Sequence, residues 1–180
     1  MPTVTKKKSR WTIAVIVLIL SVAVLLFFVI RANITQGRGK SVDTFSTYED
    51  LLEKSPVAVI ATVVSDNKEF VYDDIIFAVT EVEIKDCLRG DLGNLTLEIL
   101  QTKMKENPYL IKNTEVLLFL REYKGPVAEN VYIINGLHNG QFIIKDNTLN
   151  EVRAGYTTTI LKTADLESVI TDIKNTEYKE

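Results

Sequence analysis

The chain has 180 residues and a formal net charge of −3, but residues 41–180 hold 14 basic and 24 acidic side chains, a net charge of about −10. Such an acidic region repels nucleic-acid phosphates and anionic lipid headgroups, so no nucleic-acid partner is expected. One cysteine and one histidine exclude an internal disulfide and a Cys/His zinc site.

The first 30 residues contain a basic tail and one long apolar segment. Residues 1–10 include four basic side chains, and Trp11–Ile30 has no charge, proline or glycine. About 20 apolar residues at a rise of 1.5 Å span roughly 30 Å, the thickness of the hydrocarbon core of a bilayer. The sequence therefore predicts a transmembrane anchor at Trp11–Ile30.

The basic residues beside this segment predict its orientation. Four precede it, while Arg31, Arg38 and Lys40 follow it. The bias is slight, but a first hydrophobic segment usually keeps its basic N-terminus in the cytoplasm. We expect a single-pass protein of the cell membrane, with its C-terminal domain outside. A cleaved signal peptide is the alternative, although the apolar run is long and Ile30-Arg31-Ala32 is a poor cleavage site.

A stalk and a short helix come next. Residues 31–44 are polar, include two glycines and predict a flexible stalk. Residues 45–180 are predicted to form an extracytoplasmic domain, and its lack of disulfides fits a bacterial surface protein. A capping box at Ser46–Glu49 predicts a helix over Thr47–Lys54, which Pro56 ends.

β-strand patterns dominate the next 90 residues. The first strand is nearly all apolar, which is typical of burial on both faces, and the second alternates with period two. The final two segments are predicted as the arms of a hairpin or as one bent fifth strand, joined by Gly136–Gly140, in which Asn139-Gly140 suits positive φ. The predicted strands are Val57–Val64, Ile75–Lys85, Leu95–Gln101, Glu115–Glu122, and Val131–Asn135 with Gln141–Lys145.

The remaining segments are a polar connection, a turn and a helix. Residues 102–114 form the connection, and Asp146-Asn147 turns the chain into a short run near Val152. The C-terminal helix is capped by Thr163 and ends at Asn175. Its apolar face has i, i+3, i+4, i+7 spacing and comprises Leu166, Val169, Ile170 and Ile173.

The predicted fold class is mainly β: a transmembrane helix, then a five-stranded OB-like β-barrel with a short N-terminal and a C-terminal helix. The run from Pro56 to Gly90 contains AVIATVV, FAVTEVEI and then Leu88-Arg89-Gly90, and it is followed by LTLEI, EVLLFL and YIINGLHNGQFII. This pattern over residues 46–150 resembles the barrel domain of the tissue-inhibitor-of-metalloproteinases-like OB-fold group. It is more similar to uncharacterised membrane-anchored or secreted members in Gram-positive bacteria.

Inhibitory members of that group chelate the protease zinc with the amine and carbonyl of an N-terminal cysteine, which disulfides brace. This chain has neither feature. The resemblance therefore implies the fold and not this inhibitory mechanism.

Three polar features are weighed as catalytic candidates. The adjacent carboxylates Asp73 and Asp74 precede a strand and are predicted as a solvated turn. His138 lies in a loop and lacks the partners of a triad or metal site. Cys87 is predicted as a buried small hydrophobe. No catalytic, metal or cofactor-binding residue is therefore predicted.

Two short motifs also have simple explanations. Arg89-Gly90-Asp91 matches an adhesion tripeptide, but a strand-exit turn explains its glycine. Asn33-Ile34-Thr35 and Asn94-Leu95-Thr96 fit the N-glycosylation pattern, which matters only in a eukaryotic secretory pathway.

OB barrels often bind extended ligands through exposed aromatic side chains on one face. Most of the candidates alternate with charged residues and are predicted as core or ordinary surface. They are Tyr72, Phe77, Phe119, Tyr123, Tyr132 and Phe142.

The sequence thus predicts a membrane-anchored, non-catalytic binding or interaction module of the cell envelope, with a protein or envelope partner and no cofactor. The alternative is a regulator or inhibitor of an extracytoplasmic peptidase that acts through barrel loops without zinc chelation. A third hypothesis is an enzyme with a loop-borne site around Asp73, Asp74 and His138.

Overall fold

A computed structural model describes residues 45, 47–93, 95–104, 108–151, 161 and 165–179. The predicted basic tail, anchor and stalk (residues 1–44) lie outside these described residues. Among the helices that are described, none is long and apolar enough to span a bilayer.

The described residues form two α-helices and eight β-strands. Helix α1 spans Tyr48–Lys54 and helix α2 spans Leu166–Asn175, and a 3₁₀ turn covers Leu137–Gly140. The strands are β1 (Val57–Val63), β2 (Lys68–Tyr72), β3 (Ile75–Arg89), β4 (Thr96–Thr102), β5 (Glu115–Glu122), β6 (Tyr132–Ile134), β7 (Gln141–Lys145) and β8 (Thr148–Glu151).

Five of the strands close into a barrel. Their order is β1-β3-β4-β6-β5, and β5 pairs back onto β1. The β4–β6 pair is parallel and the other barrel pairs are antiparallel. Strand β2 extends the sheet beyond β3, and β7 and β8 extend it beyond β5. The predicted mainly β fold with a five-stranded barrel and two helices is confirmed.

The bent-strand alternative is correct for the segment after residue 130. Strands β6 and β7 both pair with β5, where Leu120 lies opposite Ile134 and Leu118 lies opposite Gln141. The positive φ angles occur at Gly136 (74°) and Leu137 (55°), and not at Asn139-Gly140 as predicted. The chain changes direction at the beginning of the 3₁₀ turn, at Gly136 and Leu137, and so the positive φ angles lie there and not at its end.

The barrel wall separates two apolar cores. The inner core fills the barrel with side chains such as Val59, Ile99 and Leu118, while the outer core joins β1, β5 and β7 to both helices. Since β5 supplies Leu118 to the inner core and Phe119 to the outer one, it is buried on both faces. The outer core includes Tyr48, Leu51, Leu52, Phe142, Leu166, Val169 and Ile173.

Both helices begin at a residue other than the one predicted. In α1 the cap is Thr47, whose Oγ1 accepts a hydrogen bond from the Asp50 N–H at 3.2 Å. In α2 the cap is Asp165, whose carboxylate accepts from the Ser168 N–H at 2.8 Å. Thr163 lies outside the described residues. Several Ser, Thr and Asp residues precede each helix, and sequence alone does not choose between them.

The connection between β4 and β5 contains a buried apolar residue. The side chain of Leu110 enters the inner core and is 2 % exposed. Its N–H donates to Gln101 Oε1 at 3.0 Å, and its C=O accepts from Asn67 Nδ2 at 3.1 Å. The Thr80 hydroxyl holds Asn67 by donating to Oδ1 at 2.6 Å. These polar side chains fix the backbone on both sides of Leu110.

Tyr48 gives the domain an alkaline limit of stability. Burial, together with the carboxylates of Asp172 and Glu49, raises the pKa of this phenol, although Arg89 opposes the shift. A phenol whose pKa is higher in the folded state than in the unfolded state contributes stability below the unfolded pKa of about 10. This contribution to stability is lost as the pH rises above that value.

The variant Tyr48→Phe tests this effect. Above pH of about 10, we expect the wild-type free energy of unfolding to fall more steeply than that of the variant, by up to about 1.4 kcal/mol per pH unit. Urea unfolding across this pH range measures the difference. Parallel losses in the two proteins would show that Tyr48 does not ionise on unfolding.

Candidate binding surface on the β2–β3 ribbon

Strand β2 and the first five residues of β3 form a hairpin, called the ribbon below. Strand β3 has two parts with different partners: its Val82–Arg89 part pairs with β1, whereas Ile75–Val79 pairs with β2. The turn is Asp73-Asp74, with φ of 47° and 63°. Two consecutive positive φ angles fit a type I′ hairpin turn, whose twist matches that of the strands. The predicted solvated turn at these carboxylates is confirmed.

The end of the ribbon is apolar and exposed. Val71 is 68 % exposed, Ile75 47 %, Tyr72 38 % and Ile76 38 %. Val71 lies opposite Ile76, and Tyr72 lies opposite Ile75. Because directly opposite residues share a face and neighbours along a strand alternate, both faces of the ribbon carry an exposed apolar pair at this end. These four residues are called the ribbon tip.

Behind the tip, aromatic side chains line one face of the ribbon. Ala78 is fully buried, so alternation directs Phe77 and Val79 to the opposite face, called the outer face. Phe70 lies opposite Phe77, and the two rings stack with centroids 5.9 Å apart and planes at 23°. Leu100 of β4 continues this face beside Val79. No ribbon residue belongs to either described core cluster.

The backbone of β2 forms an open edge. Lys103 N–H donates to Ile76 O at 2.8 Å, so the Ile76 carbonyl points towards β4 and away from β2. The Val71–Ile76 pair is therefore not hydrogen-bonded, and the N–H and C=O of Val71 point outwards. Among the described residues, β2 pairs only with β3.

One ion pair lies beside the ribbon tip. Lys103 Nζ contacts Glu69 Oε1 at 2.9 Å, with about half of each side chain exposed. An exposed pair of this kind contributes little stability. The ion pair does, however, connect β2 to Lys103, which comes just after β4. With Glu69 paired, the negative charge at the end of the ribbon is that of the Asp73-Asp74 turn.

The six aromatic candidates fall into three groups. Phe119 and Phe142 are fully buried and meet edge to face, with centroids 6.2 Å apart, so the core prediction is confirmed for them. Tyr123 and Tyr132 are half-buried. Tyr72 and Phe77 belong to the ribbon. The sequence does not predict the ribbon, because β2 has no clear strand pattern and the Asp-Asp turn lacks the usual Asn-Gly or Asp-Gly signal.

The remaining catalytic candidates lie on separate elements. Asp73 and Asp74 are at the ribbon turn, and His138 is in the 3₁₀ turn between β6 and β7; its side chain is outside the described part of the structure. In the described ranges, no group of three or more His, Cys, Asp or Glu side chains is placed to hold a metal ion.

The prediction for Cys87 is wrong, because its side chain is exposed. The β1–β3 register shifts twice near this point, between Ala58 and Val59 and between Ile60 and Ala61. The prediction considered only the residue type and the nearby end of a strand, whereas these irregularities interrupt the alternation of β3 and leave Lys85, Asp86 and Cys87 all exposed. The Cys87 thiol lies 3.4 Å from the carbonyl oxygens of Arg89 and Gly90. Neighbouring protein atoms desolvate one side of this exposed thiol, which raises its pKa.

Arg89 of the Arg89-Gly90-Asp91 tripeptide has a structural role. Its guanidinium donates to the carbonyls of Leu52 and Ser55 at the end of α1. It also donates to the carbonyls of Ile173 and Thr176 at the end of α2, at 2.6 Å each. Gly90 has φ of 96°, as expected for a strand-exit turn. The Arg89 side chain is thus committed to the fold. Asn33 and Asn94 of the glycosylation patterns lie outside the described residues.

Comparisons of the chain with protein-family models, curated proteins and solved structures find no significant match.

Proposed function

We propose that this protein is a membrane-anchored, non-catalytic binding module of the cell envelope whose recognition surface is the β2–β3 ribbon. Trp11–Ile30 anchors the chain, and residues 45–180 lie outside the cell. The barrel is assigned to the OB type. A five-stranded closed barrel with a single parallel pair supports this assignment, as does the sequence resemblance to the tissue-inhibitor-of-metalloproteinases-like group.

The exposed ribbon tip carries the proposal. The tip places four apolar side chains in water on both faces of a hairpin that extends past β1. Contiguous exposed apolar side chains typically mark interaction sites. A two-residue turn and strand pairing fix their positions, so the ribbon presents them without a large ordering cost on binding.

The charge of the turn favours a protein partner over the bilayer itself. Insertion of the hairpin end first would carry Asp73 and Asp74 into lipid, at a cost of roughly 2.5–3.5 kcal/mol for each carboxylate at the membrane centre. A protein cleft with apolar walls and basic residues at its end satisfies both the tip and the turn. The acidic composition of residues 41–180 argues against nucleic acid for the same electrostatic reason.

Crosslinking of the full chain in its native membrane tests this proposal. We expect the double variant Ile75→Ser and Ile76→Ser to lose the crosslinked partner by at least about tenfold, because two apolar contacts disappear. Both residues belong to β3, so the open edge of β2 stays intact. The thermal midpoint should hardly change, since both side chains are substantially exposed.

Leu95→Ser is the matched control. Leu95 is 79 % exposed and lies outside the ribbon, so this variant should keep the partner. Equal capture by wild type, the ribbon variant and the control would rule out the ribbon as the recognition surface. Turnover of a substrate by the wild-type chain in a broad hydrolase screen would contradict the non-catalytic assignment.

The second candidate is a peptidase regulator that uses the same ribbon. An inserted hairpin with side chains on two faces suits the occlusion of a cleft, and the resemblance to an inhibitor group favours this class. In this case the crosslinked partner is a peptidase, and the wild-type chain changes its activity while the Ile75→Ser and Ile76→Ser variant does not. A partner without peptidase activity favours the first candidate.

A further inference from the structure

The open edge of β2 is suited to pairing with another strand. Val71 directs its backbone N–H and C=O outwards, and the two-residue alternation directs those of Glu69 outwards as well. Strand β2 contains no proline or glycine, and its register with β3 has no bulge. Proteins commonly block exposed edges with proline, bulges or charged side chains. Of these features β2 has only the charges of Lys68 and Glu69, and Glu69 is paired with Lys103.

We propose that β2 pairs antiparallel with β2 of a second copy of this chain and forms a two-fold symmetric dimer centred on Phe70. One register pairs all five residues of the strand with all five of the second copy. In this register Phe70 lies opposite Phe70, Glu69 opposite Val71, and Lys68 opposite Tyr72. Glu69 and Val71, whose backbone groups face the edge, then form the hydrogen-bonded pairs.

The charges on the strand select this register. Lys68 meets the ring of Tyr72, and Glu69 meets Val71 while remaining beside its own Lys103. The nearest symmetric alternatives place Glu69 opposite either Glu69 or Asp73 of the second copy. Like charges directly opposite each other destabilise antiparallel pairs, so both alternatives are disfavoured.

The aromatic side chains favour a second copy over an unrelated peptide. The Phe70 pair at the two-fold axis is not hydrogen-bonded, and in such pairs the side chains are closest. Each Phe70 already stacks on its own Phe77. The dimer therefore places four rings in one row along the outer faces of the two ribbons, an arrangement that an arbitrary strand does not reproduce.

The contact is small, so the dimer should depend on concentration. One five-residue strand pair falls below the standard interface of about 800 Å² per partner. A membrane anchor, which the proposed function includes, would raise the local concentration of the chains. The edge pairing does not use Ile75 and Ile76, so loss of the dimer and loss of an envelope partner are separate results.

Position-specific disulfides in the full chain test the register. In a Cys87→Ser background, Phe70→Cys should form a disulfide-linked dimer under mild oxidation, because the Cα atoms of this pair are expected about 4.5 Å apart, within disulfide range. Val71→Cys is the matched control. Its side chain is the more exposed at 68 %, but it lies diagonal to its copy, beyond reach.

Opposite charges at Val71 provide a second test. Val71→Glu places a glutamate opposite Glu69 of the second copy and should weaken the dimer roughly tenfold in sedimentation analysis of the detergent-solubilised chain. Val71→Lys places an opposite charge there and should retain the dimer.

In the disulfide experiment, crosslinking by random collision would favour Val71→Cys over Phe70→Cys, because the Val71 side chain is the more exposed.

Three results would overturn the proposal. The first is a Val71→Cys disulfide yield equal to or above that of Phe70→Cys. The second is an equal response of the dimer to Val71→Glu and Val71→Lys. The third is a monomeric wild-type chain whose β2 edge crosslinks to a different protein.

Discussion

Replacement of Arg89 by alanine is expected to lower the free energy of unfolding by about 3 kcal/mol, because charge-assisted hydrogen bonds to several carbonyls disappear together. The guanidinium of this residue contacts the last turns of both α1 and α2. The carbonyl groups there have no partners within their helices, and the negative ends of two helix dipoles meet the same cation. Partial burial lowers the pKa of Arg89, but the group stays charged.

Amide hydrogen exchange distinguishes this prediction from a general loss of stability. Without Arg89, the amides of α1 and α2 should lose protection together, while those of β5 should change less. Arg89→Lys should recover only part of the loss, since an ammonium group lacks the planar set of donors that reaches four carbonyls.

Lys54→Ala is the control for loss of a positive charge near α1. The Lys54 side chain is 59 % exposed and lies 3.7 Å from Asp50, so its removal should cost less than about 0.5 kcal/mol. An Arg89→Ala protein as stable as Lys54→Ala would show that the junction of the two helices does not depend on the guanidinium.

The second large effect is expected at Leu110. Leu110→Ala should destabilise the domain by about 3 kcal/mol, because truncation of a buried leucine loses apolar contacts and leaves a cavity. The neighbouring Ile111→Ala should change stability by less than about 0.5 kcal/mol, since this side chain is 55 % exposed. Urea unfolding followed by circular dichroism compares the two. Similar losses in both variants would contradict the placement of Leu110 inside the barrel.

The parts of the fold that the sequence predicts have strong local patterns. Strand β5 was predicted with its observed bounds, Glu115–Glu122, because a compact apolar run bounded by charges and a Gly-Pro turn admits few alternatives. The apolar face of α2 was also predicted, and Leu166, Val169 and Ile173 are buried.

The parts that the sequence does not predict depend on pairing across the chain. Strand β2 begins with Lys68-Glu69 and is short, so its local pattern resembles a loop. Phe77 then appears as one half-buried residue of an ordinary strand. Its role on the outer face follows only when Phe70 lies opposite it and extends the same surface. The sequence thus does not predict a surface formed by two strands when it predicts only one of them.

The position of Leu110 was missed for a related reason. The connection over residues 102–114 is mostly polar, and polar connections usually lie on the surface. Here Gln101 and Asn67 hydrogen-bond to the backbone of Leu110, and one apolar side chain enters the barrel between them. Such a contact depends on residues 43 positions apart and leaves no local periodicity.

The position of Arg89 between the two helices affects the order of assembly during synthesis. Its acceptors Ile173 and Thr176 come 84 and 87 residues later in the chain. Because synthesis proceeds from the N-terminus, the barrel strands emerge before α2 exists to cover the apolar outer side of β1, β5 and β7. Until α2 has left the ribosome, the outer core stays incomplete, and this interval is when the nascent domain most needs protection from aggregation.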